Sequence, residues 1–464
     1  MQDKTVSKKI ILFVMTLSSF ITTFMASSMN VALPTIGKEF AISAVMLSWV
    51  ATAYLLTAAL FLVPFGKIAD IYGRKKIYLG GIILYGFTSL ACAIAPNAIF
   101  LIVARAVQGI SGAMVFATGV AILSSVFPPG ERGKALGFNL AATYLGLSTG
   151  PFIGGLLTYH FGWRSILYIT SVASFCIIPI VLTKIKTDWA EKKGDQFDWK
   201  GSVVYMVGLF CIMYGFSVLH EMVGVILLVS GVIIIAIFFR MQQRTKFPVL
   251  DLSHFKKNVV FIFSNLAAFT NYSATFAVGY LLSLYLQYVK GFNPQHAGLI
   301  LVAQPITMAL FSPLAGRLSD KLEPRLVASI GMILTTCGLI PFIFLTEQTP
   351  VFIIVVTLLF IGIGFALFSS PNTNAVMSSV EPRYYGVASA SLGTMRLTGQ
   401  AISMGIVLFI LSIYFGKVKI TPENFSQFLS SIRISFLIFT LICTAGIFAS
   451  MARGKMRGEV SKVS

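Results

Sequence analysis

The sequence predicts an all-α polytopic membrane protein with fourteen transmembrane helices. They form two pseudo-symmetric six-helix bundles plus an inserted two-helix hairpin, with both termini cytoplasmic. Three observations carry this prediction. Of 464 residues, 56% are hydrophobic and 11% charged, with 40 phenylalanines, whereas a soluble chain averages about 45–50% apolar and about 25% charged. Predominantly apolar stretches of about 20 residues, long enough to cross the hydrocarbon core, recur fourteen times. The lysines and arginines gather in alternate gaps between those stretches.

The first span, about 10 to 34, follows Lys4, Lys8 and Lys9 and is too long for the apolar segment of a signal peptide, so it reads as a retained helix. Spans at about 43 to 66, 77 to 95, 99 to 126, 135 to 160 and 165 to 183 complete a first bundle, residues 1–183. Residues 184–258 hold cytoplasmic linkers and two further spans, 201 to 219 and 222 to 239, parted only by His220 and Glu221. Reading that pair as one kinked element would make the count odd and put the termini on opposite sides. The second bundle, 259–464, contains spans at 259 to 289, 296 to 316, 326 to 345, 350 to 379, 386 to 415 and 432 to 451, then a cytoplasmic tail.

Charge tests the parity. With the N-terminus inside, 27 of the 35 basic residues fall on cytoplasmic segments and six outside, while Arg105 and Arg396 lie within spans. The chain also repeats itself. Gly66 of GKIADIYGRKK comes 56 residues after the start of the first span, and Gly316 of GRLSDKLEPR comes 57 residues after the start of the ninth. Each glycine is followed four residues on by an aspartate, Asp70 and Asp320, and Gly150 corresponds in the same register to Gly399. A binding site between such repeats near the bilayer midplane is the design of a secondary transporter.

Composition excludes other classes. The net charge of +19 is spread over short gaps and forms no basic stripe for nucleic acid. Five cysteines lie inside apolar runs without CxxC spacing or histidine companions, which reads as small core residues and not as a disulfide framework or metal site. HExxH and P-loop sequences are absent, and the GxSxG run Gly146-Leu-Ser148-Thr-Gly150 lies inside the apolar fifth span, so no enzyme, cofactor or nucleotide site is expected. His160, His220, His254 and His296 map near span ends and read as ordinary polar ends.

Three motifs carry mechanism. At the cytoplasmic end of the second span, Gly66, Asp70, Gly73 and Arg74 can form a conformational latch: a carboxylate beside basic residues, with glycines for close approach and a tight turn. In the fourth span Arg105, Gln108, Gly109 and Gly112 share one face, and an arginine within a span is costly unless that face is polar. In the fifth, Gly146, Gly150 and Gly154 form a smooth stripe, with Pro151 and Gly155 beside it, which reads as a hinge.

These residues resemble the major facilitator superfamily, specifically its 14-helix drug:proton antiporter branch of multidrug and tetracycline exporters. The resemblance spans the chain. It rests on Asn30-Val-Ala-Leu-Pro34, Trp49-Val-Ala-Thr-Ala-Tyr54-Leu-Leu, the motif from Gly66, Arg105 with Gln108 and Gly109, the motif from Gly146, and Arg396 with Gly399. It implies export of hydrophobic or amphipathic compounds by alternating access, driven by inward proton movement, and an inserted helix pair adorning a 12-helix core.

One departure bears on coupling. Members commonly carry an acidic residue shortly before the Asn30 element, and here Phe24 to Met29 contain none. All 16 acids fall in loops or at span ends, with Asp70 and Glu221 nearest the membrane. A buried carboxylate is the ordinary proton carrier near neutral pH and the ordinary attractor of cations. Asp70 and Glu221 are left as candidates for proton coupling.

The expected substrate cavity comprises Asn30, Arg105, Gln108, Asn271, Tyr272, Gln304, Asn372, Arg396 and Gln400, with Arg396 about 15 Å into its span. Two internal arginines favour anionic, zwitterionic or neutral amphipaths over permanent cations. Any one of the amides can equally be interhelical glue. The expected partners are a small amphipathic substrate, protons and the lipid bilayer, the chain acting as a monomer in a bacterial or archaeal cytoplasmic membrane. Two other readings stay open: a lipid or organic-anion translocator uncoupled from protons, and a transport-inactive sensor on the same fold.

Overall fold

The structure is a computed structural model describing residues 8–190, 194–219, 221–250, 258–381, 385–415 and 420–454, and among these there is no strand. The helices fall into two compact units, α1–α8 and α9–α16. The first unit contains α1 (Lys8–Phe40), α2 (Ala44–Tyr72), α3 (Arg74–Ala93), α4 (Ala98–Val126), α5 (Pro129–Phe161), α6 (Arg164–Lys184) and the hairpin α7 (Trp199–Ser217) and α8 (Met222–Gln242).

The second unit contains α9 (Val259–Thr275), α10 (Val278–Leu284), α11 (Pro294–Leu301), α12 (Ala303–Lys321), α13 (Pro324–Leu339), α14 (Val351–Ser378), α15 (Tyr385–Phe415) and α16 (Phe425–Met451). Among the described residues fourteen stretches are long and apolar enough to span a membrane, as the sequence predicts, and the seventh and eighth are separate helices ending at Ser217 and starting at Met222. Polar side chains start several helices. Asn97, Asp198, Asn258 and Asn293 each accept a backbone N–H from the first turn of α4, α7, α9 and α11.

Two spans are broken. The ninth consists of α9, α10 and a π turn at Tyr285–Val289, and Ser403 of α15 accepts the N–H of Ala277 at the break, 3.1 Å away. The tenth divides at Val302 into α11 and α12, where Pro305 supplies no N–H for the continuing ladder. The second span also runs past its expected end at Gly66 to Tyr72, stopping where Gly73 takes φ +117°. Lys67 therefore lies on α2 and not in a loop.

Facing the lipid, side chains follow the bilayer's rules. On α8, Val223, Ile226, Val229, Ile233 and Ile237 are exposed apolar residues, which costs nothing in hydrocarbon. Cysteines 92, 211 and 443 are buried, whereas Cys176 and Cys337 are exposed, so the reading of all five as core residues is corrected for those two. On an outward helix face a small apolar side chain serves equally well against lipid.

Candidate functional site

At the turn between α2 and α3 the local sequence dictates the geometry. Gly73 ends α2, and the carboxylate of Asp188 occupies the space a Cβ would need there. That carboxylate accepts the N–H of Lys75 at 2.8 Å, at the start of α3 where backbone donors are free. The carbonyl of Trp189 accepts the N–H of Arg74, also at 2.8 Å. Arg74 donates to Asp70 at 2.8 Å and to Ala121 and Ser125 of α4. Lys67, 4% exposed, pairs with Asp195 at 3.1 Å. The linker after α6 thus grips the predicted latch with two carboxylates. By contrast, an added Cβ at Gly66 would meet only Ala117, at 4.0 Å, so close packing there does not require glycine. The side chain of Asp320 lies outside the described residues.

Along α5 the glycines bring α1 to backbone contact. A Cβ at Gly150 would lie 2.6 Å from Cβ of Ser27, and one at Gly154 2.5 Å from Cβ of Ser28. Gly146 faces Thr23 and the Phe20 carbonyl, and Gly155 is buried. Pro151 deprives the Leu147 carbonyl of its helical donor, and Ser27 supplies one at 3.1 Å. Ser28 donates to the Gly150 carbonyl at 2.9 Å. Serines thus fill the stretch of α1 that lacks an acid, and both are spent on α5.

Arg105 is buried inside the first unit. Its guanidinium donates to the Val50 carbonyl at 3.1 Å and to Gln108 at 2.6 Å, and lies 4.6 Å from the Tyr54 ring centre. Gln108 passes a donor on to Ser89 at 2.7 Å. This chain satisfies the arginine without a carboxylate and stitches α2, α3 and α4 together. Asn30 is half-buried on α1.

The second unit differs. Arg396 on α15 donates to Thr373 of α14 at 2.7 Å and sits 5.6 Å from the Tyr272 ring, which meets Phe365 edge-on at 5.2 Å. Its Nε is buried without a partner, as are both amide atoms of Asn271 and the Oδ1 of Asn372. Asn271 is 0% and Asn372 1% exposed. Buried polar atoms are almost always hydrogen-bonded, and an orphan costs about 1–3 kcal/mol. The surroundings explain the placement: Asn271 and Tyr272 lie in the last turns of α9 before the break, and Asn372 follows Pro371 inside α14. Gly399 lets α15 approach the Phe269 carbonyl at 2.6 Å from its would-be Cβ. No carboxylate among the described residues pairs with Arg396, so the cluster is a positive, hydrogen-bonding, aromatic-walled surface.

Other amides nearby are spent on structure. Asn265 donates to Phe261 and accepts from Ser391, Asn374 donates to Ser319, and Gln287 donates to Ser283. Gln304 and Gln400 are half-buried. The structure places Asn271, Tyr272, Asn372 and Arg396 in one unit, where Arg396 meets Tyr272 and the Thr373 beside Asn372, and it pairs Arg105 with Gln108 in the other. Glu221 is exposed at the turn between α7 and α8, and His220 and His254 lie outside the described residues. Sequence reasoning missed Asp188, Trp189, Asp195 and Lys67. Acidic residues in a linker otherwise rich in lysine were the available signal.

Comparison with known proteins agrees with this architecture. The model of the Major Facilitator Superfamily matches residues 15–404 and, in a second match, 264–459. The riboflavin transporter RibZ of Clostridioides difficile (strain 630) is 29% identical over 451 residues, 96% of this chain and 97% of that protein. The multidrug resistance protein Stp of Mycobacterium tuberculosis (strain ATCC 25618 / H37Rv) is 29% identical over 392 residues, 83% of this chain and 72% of that protein. A crystal structure of the peptide transporter POT in complex with sulfate has a TM-score of 0.68 at 16% identity, covering 94% of each chain. A bacterial homologue of the human lysosomal transporter Spinster, inward-facing and unoccupied, has a TM-score of 0.69 at 15% identity, covering 96% of this chain and 97% of that one. At such identities the structural likeness concerns the fold.

Proposed function

The chain belongs to the major facilitator superfamily, and on that premise we propose that it is a secondary exporter of amphipathic compounds working by alternating access, with its substrate held at Asn271, Tyr272, Asn372 and Arg396. It is a transporter and not an enzyme, a multi-pass protein of the cytoplasmic membrane. The observation that carries the substrate reading is the orphaned Nε of Arg396, with further orphaned amide atoms on Asn271 and Asn372, the chain neighbours of the Tyr272 and Thr373 that Arg396 touches. A ligand with an acceptor for Nε and an edge offering both donor and acceptor to Asn271 would satisfy them. An unneutralised guanidinium selects neutral or anionic compounds over cations. Gln304 and Gln400 are proposed to complete the substrate cavity of the second bundle. Arg105 and Gln108 form a packed network within the first.

The organisation we propose is a first bundle at 1–183, linkers and an inserted hairpin at 184–258, and a second bundle at 259–464. The α2–α3 turn acts as latch of the first bundle, with Asp320 at the matching place in the second, and the α1–α5 seam at Gly146, Gly150, Pro151, Gly154 and Gly155 acts as hinge. Proton antiport is the coupling that the family resemblance implies, with Asp70 and Glu221 as carriers. The acid-free stretch of α1 favours a second reading, an organic-anion translocator driven by its substrate gradient.

Transport by the full chain in proteoliposomes separates these readings. Riboflavin, the compound in the name of the Clostridioides relative, serves as neutral probe beside an anionic amphipath and a cationic dye, under a pH gradient and separately under a membrane potential. The proposal expects movement of the neutral and anionic compounds, dependence on the pH gradient, and loss of the anionic activity in Arg396→Gln. Export of the cationic dye alone, unaffected by that substitution, would overturn the substrate reading. Anion movement indifferent to the pH gradient would leave the second reading standing.

A further inference from the structure

The cytoplasmic ends of α1 and α6 border a groove of about 390 Å³ lined by Lys9, Ile10 and Phe13 on one side and Pro179, Ile180 and Lys184 on the other. Its two halves differ in chemistry. Lys9 and Lys184 are exposed at the rim, and no carboxylate among the described residues pairs with either, whereas neighbouring Lys8 is bound to Glu131 at 2.8 Å. Below them the wall is apolar, with Phe13 56% exposed. Thr183, also on the lining, turns its hydroxyl back to the Pro179 carbonyl at 2.7 Å and adds little polarity.

Two cations above an apolar trough complement a molecule with an anionic head and a hydrocarbon tail. The charge bias puts this end of both helices at the inner leaflet, where anionic lipids meet basic residues of membrane proteins. We propose that the groove binds one anionic phospholipid of the inner leaflet, its phosphate between Lys9 and Lys184 and an acyl chain along Phe13, Pro179 and Ile180. A zwitterionic lipid would bring a cationic group to the same two lysines. Free phosphate would leave the trough empty. The bound lipid is a resident of the α1–α6 seam within the first bundle.

The test uses the purified, delipidated full chain in detergent and counts bound lipid by native mass spectrometry. Phosphatidylglycerol and phosphatidylcholine are titrated separately, each with and without millimolar inorganic phosphate. One phosphatidylglycerol per chain is expected to bind in preference to phosphatidylcholine and to resist phosphate. Lys9→Gln or Lys184→Gln should weaken it about fivefold and the pair about 30-fold, with Lys246→Gln as an unaffected control. Thr183→Trp keeps both lysines, fills the trough and should also weaken binding. Unchanged thermal midpoints show that the variants are folded. Wild-type binding by the double variant, equal binding of phosphatidylcholine, displacement by phosphate alone, or indifference to Thr183→Trp would each overturn the proposal.

Discussion

Replacing Gly150 by alanine places a methyl group where α1 already stands. Its carbon would lie 2.6 Å from Cβ of Ser27 and 3.1 Å from the Phe24 carbonyl oxygen, whereas carbons pack at about 3.5–4.0 Å. The two helices must therefore part by about 1 Å. Local adjustment is blocked on either side, because Gly146 faces the Phe20 carbonyl at 2.6 Å and Gly154 faces Cα of Ser28 at 2.7 Å, each measured from the would-be Cβ. Parting by that amount stretches the hydrogen bonds from Ser27 to Leu147 and from Ser28 to Gly150, now 3.1 and 2.9 Å, beyond useful length. Overpacking costs about 1–3 kcal/mol and each lost bond about 0.5–1.5 kcal/mol, while alanine recovers up to about 1 kcal/mol of helix propensity. The net loss is about 3 kcal/mol. Thermal unfolding of the purified chain should show it as a midpoint lowered by about 6–12 °C, if the first unit melts cooperatively. Ser27→Gly removes the carbon that the new methyl strikes, so the double variant should lose much less than the sum of the single losses. A Gly150→Ala midpoint within about 1 °C of wild type, or strict additivity of the pair, would refute the close-contact argument.

Asn271→Leu removes two orphaned amide atoms, so it should raise stability by about 1–3 kcal/mol while lowering transport of the neutral probe about tenfold; a less stable variant with normal transport would contradict the assignment. Asp195→Asn leaves the buried Lys67 charge unpaired, and because Asp195 is itself partly exposed the expected loss is about 1–2 kcal/mol. Adding Lys67→Met should restore most of that loss, as read by chemical denaturation. Arg453, just past α16, donates to Ser450 and Ser264, and burial pushes its pKa down without discharging the guanidinium. The buried charge therefore costs stability at neutral pH. Arg453→Met should accordingly keep or raise the neutral-pH midpoint, and a clear fall would show that its serine contacts outweigh the burial.

The sequence by itself determined the number and sidedness of the spans, because hydrocarbon forbids unpaired charge and backbone over about 20 residues and leaves the pattern in local composition. It also marked Gly73, Gly150 and Arg396, since a sharp turn, a smooth stripe or an internal cation shows in residue type alone. Tertiary structure decided which polar residues are spent. Asn265 and Asn271 sit six residues apart on α9 and look alike in sequence, yet the first is paired with Phe261 and Ser391 and the second has no partner. Arg105 and Arg396 are both arginines within spans, and packing gives the Nε of the first the Val50 carbonyl and leaves that of the second without a partner. The grip of Asp188 on the α2–α3 turn spans 113 residues of chain. Hydrogen-bond satisfaction depends on which neighbours arrive within about 3 Å, and no local pattern encodes that.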